Sequence, residues 1–501
     1  MFPYHHSEEL KYLCGTMKKN IIIIGSGFSS LAAASYLAQM GHRVSVYEKN
    51  DTLGGRARQF KKQGFTFDMG PSWYWMPDVF EKFFADFGKH PSDYYELERL
   101  DPGYQVVYGK DDVVPIGDSL EKIYNTFEAI EPGSAAKLKK FIAEAKNNYG
   151  IAIEELVYRP GISPLELVTP KTIQKIQYFF TTIKSQIVKE FKNPKLNQIL
   201  QFPVLFLGAK PQNTPAFYNF MNYADFGLGT WHPKSGMYAI VEAMVTLAKE
   251  LGVNFSTNAA VEKIVVENNT AKGVQVNGTF FPSDVVLSGA DYHHSESLLE
   301  PQYRAYSEAY WQKKTFAPSS LLFYIGLDTK VEKAAHHNLF FDVDFDAHAA
   351  AIYDNPKWPE QPLFYANFPS VSDSSMAPKG KEACFLLLPL APGLEDTPAW
   401  REKYFHIMMD RMEHLLGQPL KEKVLFQESF CVKDFVNTYN SYKGNAYGMA
   451  NTLMQTAFLR PKLISKKVQQ LYFTGQLTVP GPGVPPALIS GKIVSGLIQE
   501  S

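Results

Sequence analysis

Residues 18–58 read KKNIIIIGSGFSSLAAASYLAQMGHRVSVYEKNDTLGGRAR, and this stretch decides the fold. The β-branched run at residues 20–24 stops at a glycine, which is typical of a strand buried on both faces of a sheet. The loop GSGFSS at residues 25–30 leads into a helix rich in alanine and leucine, and a second strand at residues 44–47 stops at Glu48. A strand, a glycine turn, a helix, a strand and an acidic residue about 20 positions past the glycines predict a dinucleotide-binding fold.

The loop residues have physical roles in such a fold. Gly25 permits a tight turn, and Gly27 lets backbone N–H groups approach a pyrophosphate at the N-terminus of the helix. Glu48 can accept hydrogen bonds from both hydroxyls of an adenosine ribose and would repel a 2′-phosphate, which disfavours NADP. Ser30 replaces the third glycine of the pattern, at a position that needs a small side chain for helix–strand packing. A glycine-turned unit without a ligand is the alternative interpretation.

The residues after Glu48 favour FAD over NAD. Gly54, Gly55 and Arg56 combine a flexible backbone with a forked cation, where a pyrophosphate or a flavin edge could lie. Residues 64–72 follow with GFTFDMGPS. In the order GSGFSSL, Glu48, GGRA and GFTFDMGPS, the chain resembles the N-terminus of the phytoene desaturase family, the bacterial-type FAD-dependent carotenoid desaturases. These enzymes belong to a larger class of flavin oxidoreductases that resemble amine oxidases.

A second group of motifs, near the C-terminus, carries the same resemblance. GNAYG at residues 444–448 and the stretch LYFTGQLTVPGPGVPPALISGKIVSGLI at residues 471–498 are similar to the family's final signature. A helix beginning near residue 487 would aim its positive end at the flavin and carries small residues for close packing, namely Ser490, Gly491, Ser495 and Gly496. The family often has histidine where Val479 stands and glycines in place of Pro482 and Pro486, which leaves the shape of the channel beside the flavin ring open.

The resemblance implies FAD as the cofactor and an α/β fold. It implies a discontinuous Rossmann-like FAD-binding domain, an inserted α+β substrate domain and a helical, membrane-associated subdomain. The FAD-binding domain comprises residues 17–75, 231–295 and 431–501, interrupted by the helical insertion at 76–230 and the substrate domain at 296–430, with an extension at 1–16. The expected FAD-binding residues are Gly25, Gly27, Phe28, Ser29, Glu48, Lys49, Gly55, Arg56, Gly70, Pro71, Ser72, Val261, Gly475, Gly483 and Val484. Of these, Val261 is expected to contribute backbone hydrogen bonds to the adenine.

Composition and charge narrow the class of partners. The net charge of −1 gives no electrostatic case for binding nucleic acid. The 14% aromatic content indicates large apolar pockets, an apolar surface or simply a large core. Three distant cysteines favour a reducing compartment without a disulfide framework or zinc site. The adjacent pairs at residues 293–294 and 336–337 lack the spacing of a helical zinc site, so we expect ordinary surface or core histidines and no metal.

Two stretches bear on the substrate and the membrane. The aromatic run at residues 73–87 predicts a helix that packs in the core or forms a wall of an apolar channel. At residues 171–195, apolar residues recur at three- and four-residue steps beside six lysines, which predicts a basic amphipathic helix at a membrane interface. A solvated helix packed on the core is the alternative. No apolar run approaches the ~18 residues of a membrane span, and residues 1–16 lack the apolar centre of a signal peptide. We therefore expect a cytoplasmic protein bound peripherally to the inner face of the cell membrane.

Carotenoid desaturation removes a hydride and a proton from neighbouring carbons. FAD takes the hydride, so the protein must orient the substrate, exclude water from the site and provide an acceptor for the proton. The sequence shows no nucleophile–base pattern or paired carboxylates, and the base is left open among an acid, a tyrosine and water. Asp225, before the turn GLGTWHPKSG, and Arg159, in the insertion, are the candidate catalytic residues, with a purely structural role as the alternative for each.

The expected substrate is a hydrophobic acyclic carotenoid, and the expected electron acceptor is oxygen or a membrane quinone. A phytoene desaturase and a 1-hydroxycarotenoid 3,4-desaturase both remain open, and nothing in the sequence indicates the oligomeric state. Three further alternatives are a redox-neutral carotenoid isomerase that uses reduced flavin, a flavin amine oxidase, and a flavoprotein fold kept as a binding module.

Overall fold

The computed structural model describes residues 17–175 and 177–501, so the predicted extension at 1–16 lies outside the described residues. The strands are β1 (Asn20–Ile24), β2 (Arg43–Tyr47), β3 (Gln59–Lys62), β4 (Phe65–Asp68), β5 (Leu97–Arg99), β6 (Tyr104–Gly109), β7 (Asp112–Ile116), β8 (Trp231–Pro233), β9 (Asn254–Ser256), β10 (Val261–Glu267), β11 (Thr270–Val276), β12 (Thr279–Pro282), β13 (Val285–Ser288), β14 (Ser319–Leu327), β15 (His337–Phe340), β16 (Phe364–Asn367), β17 (Glu382–Leu390), β18 (Val424–Phe430) and β19 (Leu471–Phe473). The helices are α1 (Phe28–Gln39), α2 (Pro77–Ala85), α3 (Leu120–Ile130), α4 (Ser134–Ile151), α5 (Pro170–Gln174), α6 (Gln177–Phe180), α7 (Ile183–Glu190), α8 (Pro194–Gln201), α9 (Phe220–Asn222), α10 (Tyr238–Glu250), α11 (Tyr292–Ser297), α12 (Glu308–Gln312), α13 (Phe345–Tyr353), α14 (Pro398–Leu416), α15 (Val432–Tyr439) and α16 (Val484–Gln499).

A five-stranded parallel sheet in the order β19-β13-β1-β2-β9 contains the predicted dinucleotide-binding unit. Its strands come from three separated segments of the chain. The β-branched run of β1 is buried on both faces, as predicted. Ile21 and Ile23 pack in one apolar cluster with α1, α10 and α16, whereas Ile22 and Ile24 pack in another with the antiparallel sheet β10-β11-β12.

Close packing of α16 on α1 joins the two ends of the described chain. A Cβ atom on Gly491 would lie 2.5 Å from the backbone oxygen of Ser29 and 2.7 Å from the Cβ of Ala32. The Ser495 hydroxyl donates to the backbone oxygen of Ala33 at 3.3 Å. The predicted close packing is therefore confirmed at Gly491 and Ser495, but a Cβ on Gly496 would meet nothing within 4 Å.

The second large sheet has seven strands in the order β18-β14-β17-β16-β15-β6-β7. Its pairs are antiparallel except for β15 with β6, which run parallel. Strands β6 and β7 come from residues 76–230, and the other five come from residues 296–430. The segments predicted as a helical insertion and a substrate domain thus share one sheet, because a parallel pair joins them edge to edge.

The stretch at residues 171–195 does not form the single amphipathic helix predicted from its periodicity. It is divided among α5, α6, α7 and the start of α8. Thr182 is extended, bridges to Pro215 and accepts a hydrogen bond from the Ser185 N–H, so a new helix begins after it. Ile183, Ile187 and Phe191 are fully buried, while Ile173 and Phe180 are exposed. Some of the apolar residues in this stretch therefore pack in the core, and others lie on the protein surface.

Three of the lysines in this stretch pair with acidic residues of other segments, through the ion pairs Lys171–Glu155, Lys184–Asp346 and Lys195–Asp112. Among residues 17–175 and 177–501, we find no helix with the length and apolar character needed to cross a membrane. Cys384 and Cys431 are free and buried, and Cys14 lies outside the described residues.

Candidate active site

A cavity of about 1000 Å³ is lined by residues of the parallel sheet and of the seven-stranded sheet. All fifteen predicted FAD-binding residues border it, although they come from three segments of the chain. These residues include the glycine loop after β1, the GGRA turn, the segment at residues 70–72, Val261 at the start of β10, and the N-terminus of α16. The sequence motifs thus meet around one chamber.

The glycine loop presents open backbone to this cavity. Gly25 adopts φ +84°, a left-handed conformation that favours glycine, and its N–H donates to the Tyr47 carbonyl at 2.8 Å. Gly27 precedes α1, and a Cβ atom on it would meet nothing within 4 Å. The first N–H groups of α1 have no acceptor within the helix. This end of the cavity therefore fits a pyrophosphate.

Glu48 is buried at the end of β2, and its carboxylate is held from two sides. Its Oε2 accepts the Ser26 N–H at 3.0 Å and the Ser26 hydroxyl at 2.7 Å. Its Oε1 accepts the backbone and side-chain N–H groups of Asn50 at 2.9 and 2.8 Å. A carboxylate has about four lone-pair sites, so a ribose hydroxyl must share this group with Ser26 or Asn50.

Arg56 supplies a half-buried cation at the cavity wall. Its Nη2 donates to the Ser441 hydroxyl at 3.0 Å, and its guanidinium lies 5.4 Å from the ring of Tyr439. Its Nε is buried without a hydrogen-bond partner among the described residues. Burial lowers the pKa of Arg56, which the nearby Asp291 partly opposes. A guanidinium at the wall of a cavity fits an anionic group such as a pyrophosphate.

The segment at residues 70–72 packs directly against this turn. A Cβ on Gly70 would lie 2.3 Å from the backbone oxygen of Arg56, so only glycine fits there. Lys49 also borders the cavity, but its Nζ donates to the Asn437 carbonyl at 2.8 Å and to the Asn440 side chain at 3.0 Å. Lys49 therefore joins the end of α15 to the cavity wall.

The N-terminus of α16 borders the cavity at the other cofactor motif. Gly483 precedes the helix with φ +118°, and the Ala487 N–H already donates to its carbonyl at 3.1 Å. Pro485 and Pro486 have no N–H. The free N–H of this first turn is consequently that of Val484. The helix begins at Val484 because the two prolines fit its first turn, earlier than the sequence pattern suggested.

The rest of the wall is apolar and largely aromatic. Its members include Trp75, Phe179, Phe202, Phe217, Phe220, Leu339, Phe341, Leu363 and Leu387. In α2, by contrast, Phe80, Phe83 and Phe84 are buried in the core and do not belong to the lining. Of the two interpretations of the aromatic run, core packing therefore holds for α2, while Trp73 and Trp75, just before the helix, border the cavity.

The two candidate catalytic residues lie in different places. Asp225 is buried outside the lining, and its carboxylate accepts the Tyr104 hydroxyl at 2.8 Å. Burial raises the pKa of Asp225 well above its usual value, although the Tyr104 hydrogen bond opposes this. This placement favours the structural alternative for Asp225. Arg159 borders the cavity but is exposed, and its Nε donates to the Glu155 carbonyl at 3.0 Å.

Sequence reasoning missed a polar chain that begins at the cavity. Tyr365, in β16, borders the cavity, and its hydroxyl lies 3.0 Å from the Ser72 hydroxyl and 2.6 Å from Nδ1 of His337. The pair His336–His337 is indeed buried, as one of the expectations for it stated. No cluster of metal-ligating side chains occurs in the part of the chain that the structure describes. A single tyrosine inside an apolar strand carries no motif, so no local signal could have identified Tyr365.

A sequence profile of the family described as flavin containing amine oxidoreductase matches residues 28–499. The chain is 41% identical over 490 residues to a carotenoid 3,4-desaturase of Haloarcula japonica, covering 96% of this chain and 98% of that one. It is 32% identical over 492 residues to a zeta-carotene-forming phytoene desaturase of Myxococcus xanthus, covering 96% and 94%. A 4,4′-diapophytoene desaturase of Staphylococcus haemolyticus is 31% identical over 497 residues, with coverage of 96% and 98%.

Solved structures with low sequence identity share the fold. An oxidoreductase from Methanosarcina mazei aligns with a TM-score of 0.62 at 16% identity, covering 94% of this chain and 99% of that one. Putrescine oxidase bound to putrescine aligns with a TM-score of 0.60 at 13% identity, covering 97% and 100%. The chain therefore belongs to the flavin containing amine oxidoreductase family and, within it, to the carotenoid desaturases related to phytoene desaturase, with FAD as its cofactor.

Proposed function

We propose that this protein is an FAD-dependent desaturase that introduces a carbon–carbon double bond near the end of an acyclic carotenoid, as in 3,4-desaturation. The observation that carries this proposal is one cavity that joins the nucleotide-binding loop to an aromatic chamber. The 41% identity to a carotenoid 3,4-desaturase over nearly the whole of both chains supports the position of the new bond.

The protein's own residues hold the cofactor and align the substrate. Arg56 and the N-terminus of α1 would hold the pyrophosphate, and Glu48 would hold the ribose. When bound, FAD supplies the oxidant that accepts a hydride from the substrate. The aromatic walls align a long apolar chain and exclude water, which keeps the reacting carbons in one geometry.

We also propose that the substrate enters from a membrane surface. Five large apolar side chains between residues 162 and 180 are exposed, and these are Ile162, Leu165, Val168, Ile173 and Phe180. The same segment contributes Gly161, Leu167 and Phe179 to the cavity lining. Exposed apolar side chains on a part of the chain that also lines an apolar cavity fit contact with a bilayer. We propose a peripheral position on the inner face of the cell membrane, with oxygen or a membrane quinone as the electron acceptor.

The test uses the purified protein reconstituted with FAD in liposomes that contain phytoene or, separately, a 1-hydroxylated acyclic carotenoid. Pigments are separated by chromatography and identified by absorption, in air and anaerobically with a quinone. A longer chromophore from the hydroxylated substrate alone supports 3,4-desaturation, and a longer chromophore from phytoene assigns an earlier step. Unchanged chromophore lengths with altered isomer ratios would establish the isomerase instead, and no change with either carotenoid would overturn the proposal.

A further inference from the structure

We propose that Ser72, Tyr365 and His337 form a proton relay that carries the substrate's proton from the cavity to His337. This inference rests on the proposed desaturase function. Ser72 and Tyr365 both border the cavity, whereas His337 lies behind them in β15, is fully buried, and is not part of the lining. The Ser72 and Tyr365 hydroxyls are 3.0 Å apart, and the Tyr365 hydroxyl is 2.6 Å from Nδ1 of His337.

The contacts of the Asn367 side chain determine which atom donates in each hydrogen bond around His337. The Asn367 amide nitrogen donates to the His336 carbonyl at 3.0 Å and lies 3.3 Å from Nδ1 of His337. An amide nitrogen can only donate, so Nδ1 is an acceptor and the hydrogen of the neutral ring is on Nε2. Tyr365 therefore donates to His337, and Ser72 donates to Tyr365. Both hydrogen bonds of the chain point away from the cavity.

This direction suits the removal of a proton from the substrate. When a hydride leaves one substrate carbon for the bound cofactor, a C–H bond on the neighbouring carbon would break, and its electron pair would form the new double bond. The proton passes to Ser72, the Ser72 hydrogen to Tyr365, and the Tyr365 hydrogen to Nδ1 of His337. Ser72 and Tyr365 end unchanged, and His337 becomes an imidazolium. The electrons go to FAD and the proton goes to His337, so the step balances.

One neighbouring ring favours a transient cation on His337. The Trp73 ring stacks on the imidazole with ring centroids 4.0 Å apart and an angle of 11° between the planes, a geometry in which an aromatic face stabilises a cation. Nε2 of His337 is buried without a hydrogen-bond partner among the described residues. Burial holds the pKa of His337 well below its usual value, and the nearby His232 lowers it further. A carbon chain that has lost a hydride is a strong acid, so a weak base suffices.

Other titratable groups lie beside this base. The His336 ring is 4.4 Å from that of His337 and 4.6 Å from that of His232. Nε2 of His232 is 3.1 Å from a carboxylate oxygen of Asp373. Burial alone would raise the pKa of Asp373, but hydrogen bonds from His232, Ser375 and Ser235 outweigh burial and hold it low. Asp68 is half-buried near His232; desolvation raises its pKa, and His232 opposes this. His336 and His232 thus lie between His337 and the ionised Asp373 carboxylate.

His348, a buried histidine that borders the same cavity, shows the contrast with a structural role. Nδ1 of His348 accepts the Leu363 N–H at 2.9 Å, and its Nε2 lies 3.0 Å from the Pro389 carbonyl. Both nitrogens of His348 are thus engaged by the backbone. His337 instead combines one unpartnered nitrogen with a chain of hydroxyls that starts at the cavity.

The test compares Tyr365→Phe and His337→Gln with Tyr324→Phe, whose hydroxyl donates to the Met69 carbonyl at 2.8 Å outside the relay. FAD content, carotenoid binding and anaerobic single-turnover flavin reduction are measured across pH, in H₂O and D₂O. Both relay variants should retain FAD and carotenoid affinity but reduce the flavin at least tenfold more slowly, with the wild-type solvent isotope effect lost. The fall in rate at low pH, as His337 becomes protonated, should disappear in His337→Gln. Tyr324→Phe should match the wild type.

A second measurement is independent of activity. In protein labelled with ¹⁵N-histidine, His337 should be an Nε2–H tautomer at neutral pH, and Tyr365→Phe should shift its Nδ1 resonance. A protonated Nδ1 at neutral pH, or a His337→Gln variant with unchanged rate and isotope effect, would overturn the relay alone. A wild type that reduces its flavin with neither carotenoid would overturn the proposed function and the relay with it.

Discussion

Ser30 and Gly289 occupy complementary space between α1 and the parallel sheet. A Cβ atom on Gly289 would lie 2.0 Å from the Ser30 hydroxyl oxygen, which is fully buried. Gly289 follows β13 directly, and its N–H donates to the Ile24 carbonyl at 2.9 Å. The serine that replaces the third glycine of the loop is therefore accommodated by a glycine on the neighbouring strand.

The first prediction is that Gly289→Ala destabilises the protein. Because the new methyl group overlaps Ser30, we expect a loss of about 1–3 kcal/mol in unfolding free energy. Ser30→Ala should cost little, since the Ser30 hydroxyl has no hydrogen-bond partner in the structure, and it should recover most of the loss in the double variant. Denaturant unfolding of all four proteins gives the coupling between the two sites. Strict additivity would contradict the steric explanation.

The second prediction concerns Glu48→Ala. The substitution removes the proposed acceptor for the ribose and leaves the N–H groups of Ser26 and Asn50 without their partner. Each charge-assisted hydrogen bond contributes about 1.5–3 kcal/mol, so FAD affinity should fall at least tenfold. Titration of the apoprotein, followed by flavin fluorescence, measures the affinity. Glu267→Ala, at an exposed position at the end of β10, is the control. An unchanged affinity in Glu48→Ala would remove Glu48 from the cofactor site.

The third prediction tests the geometry of the Arg56 cation. Arg56→Lys keeps a positive charge at the cavity wall but loses the planar fork that can donate two parallel hydrogen bonds to a phosphate. We expect weaker FAD binding by about 1.5–3 kcal/mol, the value of one charge-assisted hydrogen bond. The same fluorescence titration applies, with Arg43→Lys at the exposed start of β2 as the matched control. Equal affinities for the two variants would show that charge alone is needed at residue 56.

The fourth prediction addresses the membrane surface. Leu165 and Phe180 are 75% and 81% exposed, so changing both to serine should leave the fold and its melting temperature unaltered. Burying such a side chain in a bilayer is worth about 1.5–3 kcal/mol, and the double variant should sediment with liposomes much less than the wild type. Phe280→Ser, on β12 and outside the cavity lining, is the control. If the double variant sediments like the wild type, another surface contacts the membrane.

Local sequence patterns were sufficient for the nucleotide-binding layer. A β-branched run, glycines in a loop and an acidic residue after the next strand are each set by interactions within a few residues. The glycine loop, the GGRA turn and the segment before α16 could therefore be assigned separately. That these three motifs lie around one cavity was expected only from the resemblance of the chain to a family of known fold.

Features that depend on distant residues escaped prediction. The spacing of apolar residues at 171–195 predicted a single helix. It carries no information on the backbone bridge from Thr182 to Pro215, which divides that helix. The pairing of β6 with β15 joins strands more than two hundred residues apart, and no local pattern encodes it. The relay behind the cavity likewise combines Ser72, His337 and Tyr365 from separate segments.

The parallel sheet has a consequence for how the protein is made. Strands β1 and β2 are synthesised before β13 and β19, which pair at the sheet edge, and before α16, which packs on α1. Contacts between residues so distant in the chain form slowly. The cavity wall can therefore be completed only after α16 has left the ribosome, so the cofactor must bind after that point of translation.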